Sequence, residues 1–435
     1  MLPYLAPAVI MDPNAVLWQH CLDTAAKSDL GLRRTNNEDS FRVVLASNQK
    51  KFQDRGHLFI VADGMGGHAA GELASKLAAD DIPLTYHKLV DLPPHEALKA
   101  AVRDANAQVH ARGIASDDFH EMGTTVSALV LHSLGAIAAH VGDSRIYRLR
   151  GETFEQLTFD HSVEWEARAA GQNALFELPK WCLHRITRSV GPNAEVQIDL
   201  EGPYPLEPGD TFLLCSDGLS GQVKDEEIGK ILAVLPPSEA VDMLVDLANL
   251  RGGPDNITVI VAKVLCEQVA KGGAGSAEAG GRSVPPYLWG LLGAFGLGAL
   301  ALLALGQVLF GVISGLAAAA AGIAAVVLGN RPSGSASVFD RPLGKGPYLR
   351  WSAAPDMAFV TELSRVAQQL REAAAAKNWE IDWEQFQGHD SRAQAAAQAA
   401  QCSDAAREYC RGISFLMKQL RTQGERKADG RAVLE

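Results

Sequence analysis

The sequence predicts an α+β fold, followed by an uncharged apolar region and a helical tail. Three observations give this. Short apolar or β-branched runs between Val126 and Leu157 are divided by the connections "SLG", "GDSR" and "RGE", as antiparallel strands are. Two stretches with helical spacing, Ala69 to Leu84 and Pro94 to His110, come before them, so helices and strands are grouped rather than alternating singly. Further on, Tyr287 to Gly329 contains no charged residue.

Taken in order, Leu58 to Ala62 is a continuous apolar run that reads as a strand buried on both faces. It leads into Asp63 and a glycine-rich turn. The two helical stretches carry Leu73, Leu77 and Ile82, then Leu98, Val102 and Val109, and the second opens on Pro94. Strands are expected at Val126 to Leu131, Ala136 to Val141, Ile146 to Leu149 and Phe154 to Leu157, as one meander. Asp160 to Arg188 is irregular, with Trp165, Phe176 and Trp181 among polar residues, and reads as an excursion or lid. Strands resume at Val196 to Leu200 and Thr211 to Cys215, helices at Asp225 to Leu235 and Ser238 to Asn249, and a last β-branched strand at Ile257 to Val264.

Composition narrows the function. A formal net charge of -11 over 435 residues argues against general nucleic-acid binding, which needs basic surface, whereas acidic side chains can hold cations. The six cysteines, Cys21, Cys182, Cys215, Cys266, Cys402 and Cys410, form no CxxC pair and read as free thiols in a reducing compartment. The start, "MLPYLAPAVIM", has no Lys or Arg and so lacks the positive region of a secretory signal. The first domain is therefore expected in the cytosol.

Four regions follow: a domain over 18–266, a Gly, Ala and Ser linker over 267–286, a transmembrane region over 287–329 and a helical region over 350–425. As helix, the uncharged run would reach about 64 Å, roughly twice a bilayer's hydrocarbon core. A hairpin of two spans, near Tyr287 to Gln307 and Val312 to Leu328, is favoured by positive residues at both ends: Lys271 and Arg282 before, Arg331, Arg341, Lys345 and Arg350 after. A single span with an external tail is the alternative, because the second half is Ala-rich and weakly hydrophobic. In the tail, Phe359, Leu363, Val366 and Leu370 share one helical face and Ala406, Tyr409, Ile413, Leu416 and Leu420 another, so the two helices are expected to bury those faces together. No chemistry is legible there.

Asp63, Asp217 and Asp255 each stand beside Gly or Asn at the edge of an apolar strand run. One such Asp is a turn; three of one design suggest convergence. Gathered carboxylates repel one another unless a cation compensates, and hard divalent cations with oxygen ligands do so naturally. Between two such ions a water becomes a nucleophile near neutral pH, and the planar fork of Arg34 matches phosphate oxygens.

Six segments, "RTNNED" (Arg34 to Asp39), "DGMGGH" (Asp63 to His68), "MGTT" (Met122 to Thr125), "GDSR" (Gly142 to Arg145), "SDGL" (Ser216 to Leu219) and "PDNIT" (Pro254 to Thr258), in this order strongly resemble the bacterial branch of the PPM, or PP2C-type, metal-dependent protein serine/threonine phosphatases. The resemblance spans about Cys21 to Leu265. It implies a four-layer α-β-β-α sandwich with two Mn²⁺ or Mg²⁺ ions at one end and a third, more weakly held ion. By position, Asp63 would bridge both metals, Gly64 would offer a carbonyl to the first, and Asp217 and Asp255 would complete the second. Glu38 and Asp39 would act through metal-bound waters, Asp143 would help hold the third ion, and Arg34 would grip the substrate phosphate. Asp160 to Gly191 matches the family's variable flap.

Where eukaryotic members carry a His after Asp-Gly as the acid for the leaving alcohol, this chain has Met65. Met donates no proton, so water is the implied acid, and His68 reads as a structural cap. The spacing Cys182 to Arg188, "CLHRITR", matches a cysteine-phosphatase loop only by count: it lacks Gly and carries bulky residues. The resemblance implies hydrolysis of phosphoserine and phosphothreonine on proteins by direct attack of a metal-bridging water, opposing a Ser/Thr kinase; the uncharged run and its positive flanks place that domain, by expectation, on the cytoplasmic side of a bacterial inner membrane. The competing expectation is a phosphoprotein-recognition module that assembles partners without turnover.

Overall fold

The computed structural model describes residues 21–171, 179, 182–183, 185–266, 297, 304–307 and 342–432. In chain order the first part runs β1 (Leu22–Asp29), β2 (Asp39–Val44), α1 (Gln49–Arg55), β3 (His57–Met65), α2 (His68–Lys88), α3 (Pro94–Ile114), β4 (Gly123–Thr124), β5 (Val126–His132), β6 (Gly135–Val141), β7 (Arg145–Arg150), β8 (Thr153–Gln156) and α4 (Val163–Ala170). It continues β9 (Asp199–Tyr204), β10 (Thr211–Cys215), α5 (Asp217–Ser220), α6 (Asp225–Val234), α7 (Pro237–Leu250) and β11 (Ile257–Val264). The tail adds β12 (Leu349–Ser352), α8 (Met357–Ala376), α9 (Trp383–Gln398) and α10 (Cys402–Ala432).

The strands form two sheets, ordered β1-β11-β10-β7-β8-β12 and β2-β3-β5-β6-β9, with β4 pairing on β3. Period-2 alternation explains why they stack. In β10, Phe212 and Leu214 enter a core between the sheets with Phe59, Leu129 and Ile260. On the opposite face, Leu213 and Cys215 meet Ile228 of α6 and Leu244 of α7. Both faces of the strand are thus buried, and after Thr211 its sequence is apolar. Beside the other sheet, α2 and α3 bury Ala78, Ile82, Leu98 and Val102. This is an α+β sandwich of two stacked sheets with helices packed outside them.

The expected meander is divided. Strands β5 and β6 pair in one sheet, whereas β7 and β8 pair in the other. The change of sheet falls at "GDSR", where Gly142 takes φ 111°, a left-handed conformation that side chains oppose. Sequence alternation cannot reveal this, because strands that change sheet keep the same period. Likewise, β3 runs on through Asp63 to Met65, paired to β4 by Gly64↔Thr124 and Met65↔Gly123, so Asp63 lies within a strand rather than after it. The strand expected at Val196 to Leu200 begins at Asp199 instead.

The tail differs most from expectation. It is not all helical: β12 completes the edge of the first sheet beside β8. Phe359, Leu363 and Leu370 of α8 and Tyr409, Ile413 and Leu416 of α10 are buried in one cluster, as their spacing predicts, but that cluster also contains Ile231, Met243 and Leu244 from α6 and α7. The described residues from 342 onward accordingly belong to one compact unit with those of 21–266. Polar pairs stitch the joint: Arg411 to Glu239 at 2.7 Å, Lys230 to Asp356 at 3.0 Å, and the Arg407 guanidinium to the Val234 carbonyl at 2.9 Å. Of the expected transmembrane region, only residues 297 and 304–307 are described; the rest lies outside the described residues. Among the described residues, no helix is long and apolar enough to cross a membrane.

Candidate active site

Antiparallel pairing gathers the acidic residues at one end of the sandwich. The start of β2, the end of β3, the β6–β7 crossing, the end of β10 and the start of β11 all lie there. Asp39 pairs directly with Asp63 across β2 and β3, Asp217 opens α5 immediately after β10, and Asp255 stands two residues before β11.

Hydroxyl and amide groups fix these residues. The Ser216 hydroxyl donates to Asp39 Oδ2 at 2.8 Å and accepts from the Thr258 amide at 3.0 Å. The Asp63 amide donates to Thr125 Oγ1 at 2.9 Å, and the Asp63 carbonyl accepts from the Thr125 amide at 2.8 Å. Thr125 is in turn 2.7 Å from Ser144 in the "GDSR" crossing. Gly64 packs so tightly that a Cβ there would collide with the Gly71 carbonyl of α2, which is why the turn residue is glycine. The Glu38 carbonyl receives the Gly64 amide at 3.1 Å and the Ser75 hydroxyl at 2.5 Å.

Electrostatically the cluster is loaded with negative charge. Burial first, then Asp39, Asp217, Asp143 and Asp255, hold the Asp63 carboxyl well above its ordinary range. Burial raises Asp39 to about 7, despite hydrogen bonds from Thr258 and Ser216. Asp143 is pushed well up by burial and by Asp217, and Asp217 is pushed up by burial and by Asp255. Asp39 Oδ1, Asp143 Oδ1 and Asp217 Oδ1 are buried without a hydrogen-bond partner. Three buried, partnerless carboxylate oxygens at one end of the sandwich fit hard divalent cations. Among the described residues, no three His, Cys, Asp or Glu side chains close into a ligating shell.

Arg34 reaches the same place from the β1–β2 loop, but its guanidinium donates to Asp255 Oδ2 at 2.7 Å. The loop is held by a residue whose role no local pattern reveals. Asn256 donates to the Leu30 and Asn36 carbonyls, each at 3.0 Å, and accepts from the Glu38 amide at 2.9 Å. Its place in "PDNIT" was visible, but its three partners are far away in sequence. Arg145 was also missed: it bridges buried Asp160 at 2.7 Å and Asp225 at 3.2 Å.

Asp143, Asp217 and Asp255 open into a groove of about 710 Å³, whose other walls include Trp165, Arg168 and Lys224. The flap is described in part. Arg188 is tied to Asp199 at 2.8 Å, and the Val163 amide donates to the Arg185 carbonyl at 3.0 Å. Arg188 is thereby committed to β9, so the Cys182 to Arg188 spacing builds no thiol site. Phe176 and Trp181 lie outside the described residues, as does the side chain of His68.

A paired-sheet sandwich with buried acids and a guanidinium at one end can hold divalent cations beside a phosphate. Residues 33–249 match the family model for protein phosphatase 2C. Protein phosphatase PhpP of Streptococcus pneumoniae is 36% identical over 248 residues, which cover 56% of this chain and 98% of that protein. The serine/threonine protein phosphatase PstP of Mycobacterium tuberculosis is 37% identical, over 55% of this chain and 45% of that protein. A crystal structure of the PstP catalytic domain in complex with two manganese ions is 35% identical, covering 56% of this chain and 99% of that one, with a TM-score of 0.46. The chain belongs to the protein phosphatase 2C family. It is a bacterial PP2C-type serine/threonine protein phosphatase.

Proposed function

We propose that this phosphatase acts on phosphoserine and phosphothreonine of cytoplasmic proteins from the inner membrane, with two Mn²⁺ or Mg²⁺ ions and a third, looser one. The supporting observation is the set of buried oxygens on Asp39, Asp143 and Asp217 that lack hydrogen-bond partners. Asp63, Asp217 and Asp255 would hold the ion pair together with the Gly64 carbonyl. Glu38 and Asp39 would act through water, and Asp143 would hold the third ion. When bound, such ions acidify a water and neutralise charge on the phosphoryl oxygens. Arg34 receives the substrate phosphate, its fork matching two oxygens once it leaves Asp255. Met65 donates no proton, so the leaving alcohol takes its proton from water.

Membrane attachment rests on the uncharged run at 287–329. The segments on either side of that run belong to one compact unit. Both must then lie on the same side of a bilayer, which favours an even number of crossings over a single span. A reporter fused after Arg350 should give a cytoplasmic signal, and an external one would overturn the hairpin. We assign the opposing enzyme to a Ser/Thr kinase of the same cell, on family grounds.

The mechanism is tested on the full chain by Mn²⁺-dependent hydrolysis of p-nitrophenyl phosphate. Asp63→Asn and Asp217→Asn should each lose on the order of a hundredfold or more, by lost charge stabilisation. Wild-type rates in both would sink it.

A further inference from the structure

The tail strand β12 reaches the active-site groove. It lies beyond the segment matched by the family model, yet pairs with β8 in the register Leu349↔Gln156, Arg350↔Glu155, Trp351↔Phe154 and Ser352↔Thr153. Backbone bonds extend the ladder at both ends, Tyr348 amide to Gln156 carbonyl and Ala353 amide to Glu152 carbonyl, each 2.8 Å. Alternation sends Arg350 to one face, where it meets Glu155 at 2.8 Å, and Trp351 to the other. There the indole lies 6.1 Å from the Phe154 ring and 6.4 Å from Tyr147, and it lines the groove that contains Asp143, Asp217 and Asp255.

Side-chain contacts also hold this placement. The buried Glu201 carboxylate accepts from the Tyr348 hydroxyl at 2.6 Å and from the Gly346 amide at 2.9 Å, fixing the segment just before β12. Tyr348 then meets Phe159 edge-on at 5.5 Å and Trp165 of α4 at 6.5 Å, so the tail also braces the flap's first helix. Among the described lining residues, the apolar side chains are Trp165, Trp351 and Pro254; Trp165 is 8% exposed, with the Arg145 guanidinium over its ring. Trp351 is only half-buried. It is a large apolar surface held beside acidic groups whose work is on the phosphate.

We infer that Trp351 is a substrate-positioning residue: the phosphoprotein lays an apolar side chain near its phosphoresidue against the Trp351 indole. The inference rests on the phosphatase reading of the same groove. Selection of substrate is then built partly by the tail, from residues on the far side of the apolar run, and a pre-formed aromatic wall costs little ordering on binding.

The test uses full-length protein with Mn²⁺ and a series of phosphothreonine peptides in which a single Leu moves from three residues before the phosphoresidue to three after it. At one or more positions Leu should lower the wild-type KM about tenfold, the value of one apolar contact in a pocket. Trp351→Ala should abolish that gain with little change in kcat, and Trp351→Phe should restore most of it. The ratio of kcat/KM for the Leu peptide to that for p-nitrophenyl phosphate should fall about tenfold in Trp351→Ala. An unchanged ratio would mark a merely structural role and overturn the inference, as would a Leu gain that survives in Trp351→Ala or appears at no position. Failure of wild-type protein to hydrolyse either substrate would instead sink the phosphatase reading.

Discussion

The Arg34 guanidinium is bound to the Asp255 carboxylate at 2.7 Å, so a residue assigned to phosphate and a residue assigned to metal neutralise each other. Both are partly exposed, at 41% and 32% of the side chain, and a pair so open to water is worth little in stability. It is therefore easily exchanged. A cation held by Asp255 would free the guanidinium to bind phosphate oxygens.

This predicts that Arg34→Lys will be a poor replacement. A lysine can balance charge but cannot grip two oxygens at once. We expect kcat/KM for a phosphothreonine peptide to fall about tenfold or more in Arg34→Lys, with the melting temperature hardly moved, since the loop is held by Asn256. Steady-state kinetics beside calorimetry separates the two outcomes.

Manganese should stabilise the fold, and more strongly at alkaline pH. Carboxyls raised by burial, such as Asp39 at about 7, hold protons in the native state that the unfolded chain has released. Their contribution is full below the ordinary carboxylate pKa and is lost as pH rises through 7. A cation must displace those protons, so its own effect grows over the same interval. Buried His57, lowered by burial to about 4, acts oppositely: its contribution is present above the unfolded histidine pKa and lost as pH falls through 4. It affects metal-free and metal-loaded protein alike and cancels in their difference. At a hundredfold excess over Kd we expect a shift of about 5 °C or more, larger at pH 8 than at pH 6, and reduced in Asp63→Asn. Scanning calorimetry with Mn²⁺ against EDTA checks it.

Glu201→Ala should loosen the tail. Glu201 is 2% exposed and accepts from Tyr204, Gly346 and Tyr348. Its removal leaves two hydroxyls and an amide without their acceptor, a cost of about 1–3 kcal/mol. Trypsin should then cut faster at Lys345 and Arg350 than in wild type, read by mass spectrometry; equal cleavage rates would show that β12 is held by its strand pairing alone.

Sequence alone determined the strand and helix types of the first domain, because buried strands and amphipathic helices carry their periods locally: Thr211 to Cys215 and Ile257 to Val264 are strands with the bounds their apolar runs mark. It also named the acidic residues, since Asp beside Gly at the end of an apolar run is a local pattern. What only the tertiary structure decided is relational. The change of sheet at Gly142, the gathering of Leu30, Asn36 and Glu38 around Asn256, the Arg34–Asp255 pair and the docking of Trp351 beside the groove all join residues distant along the chain. The tail shows the reason most clearly. Its helical faces were legible as apolar, but an apolar face does not say which surface will cover it: hydrophobic burial is non-directional, and the choice of α6 and α7 as partners was made by shape and by pairs such as Arg411–Glu239 that no local pattern contains.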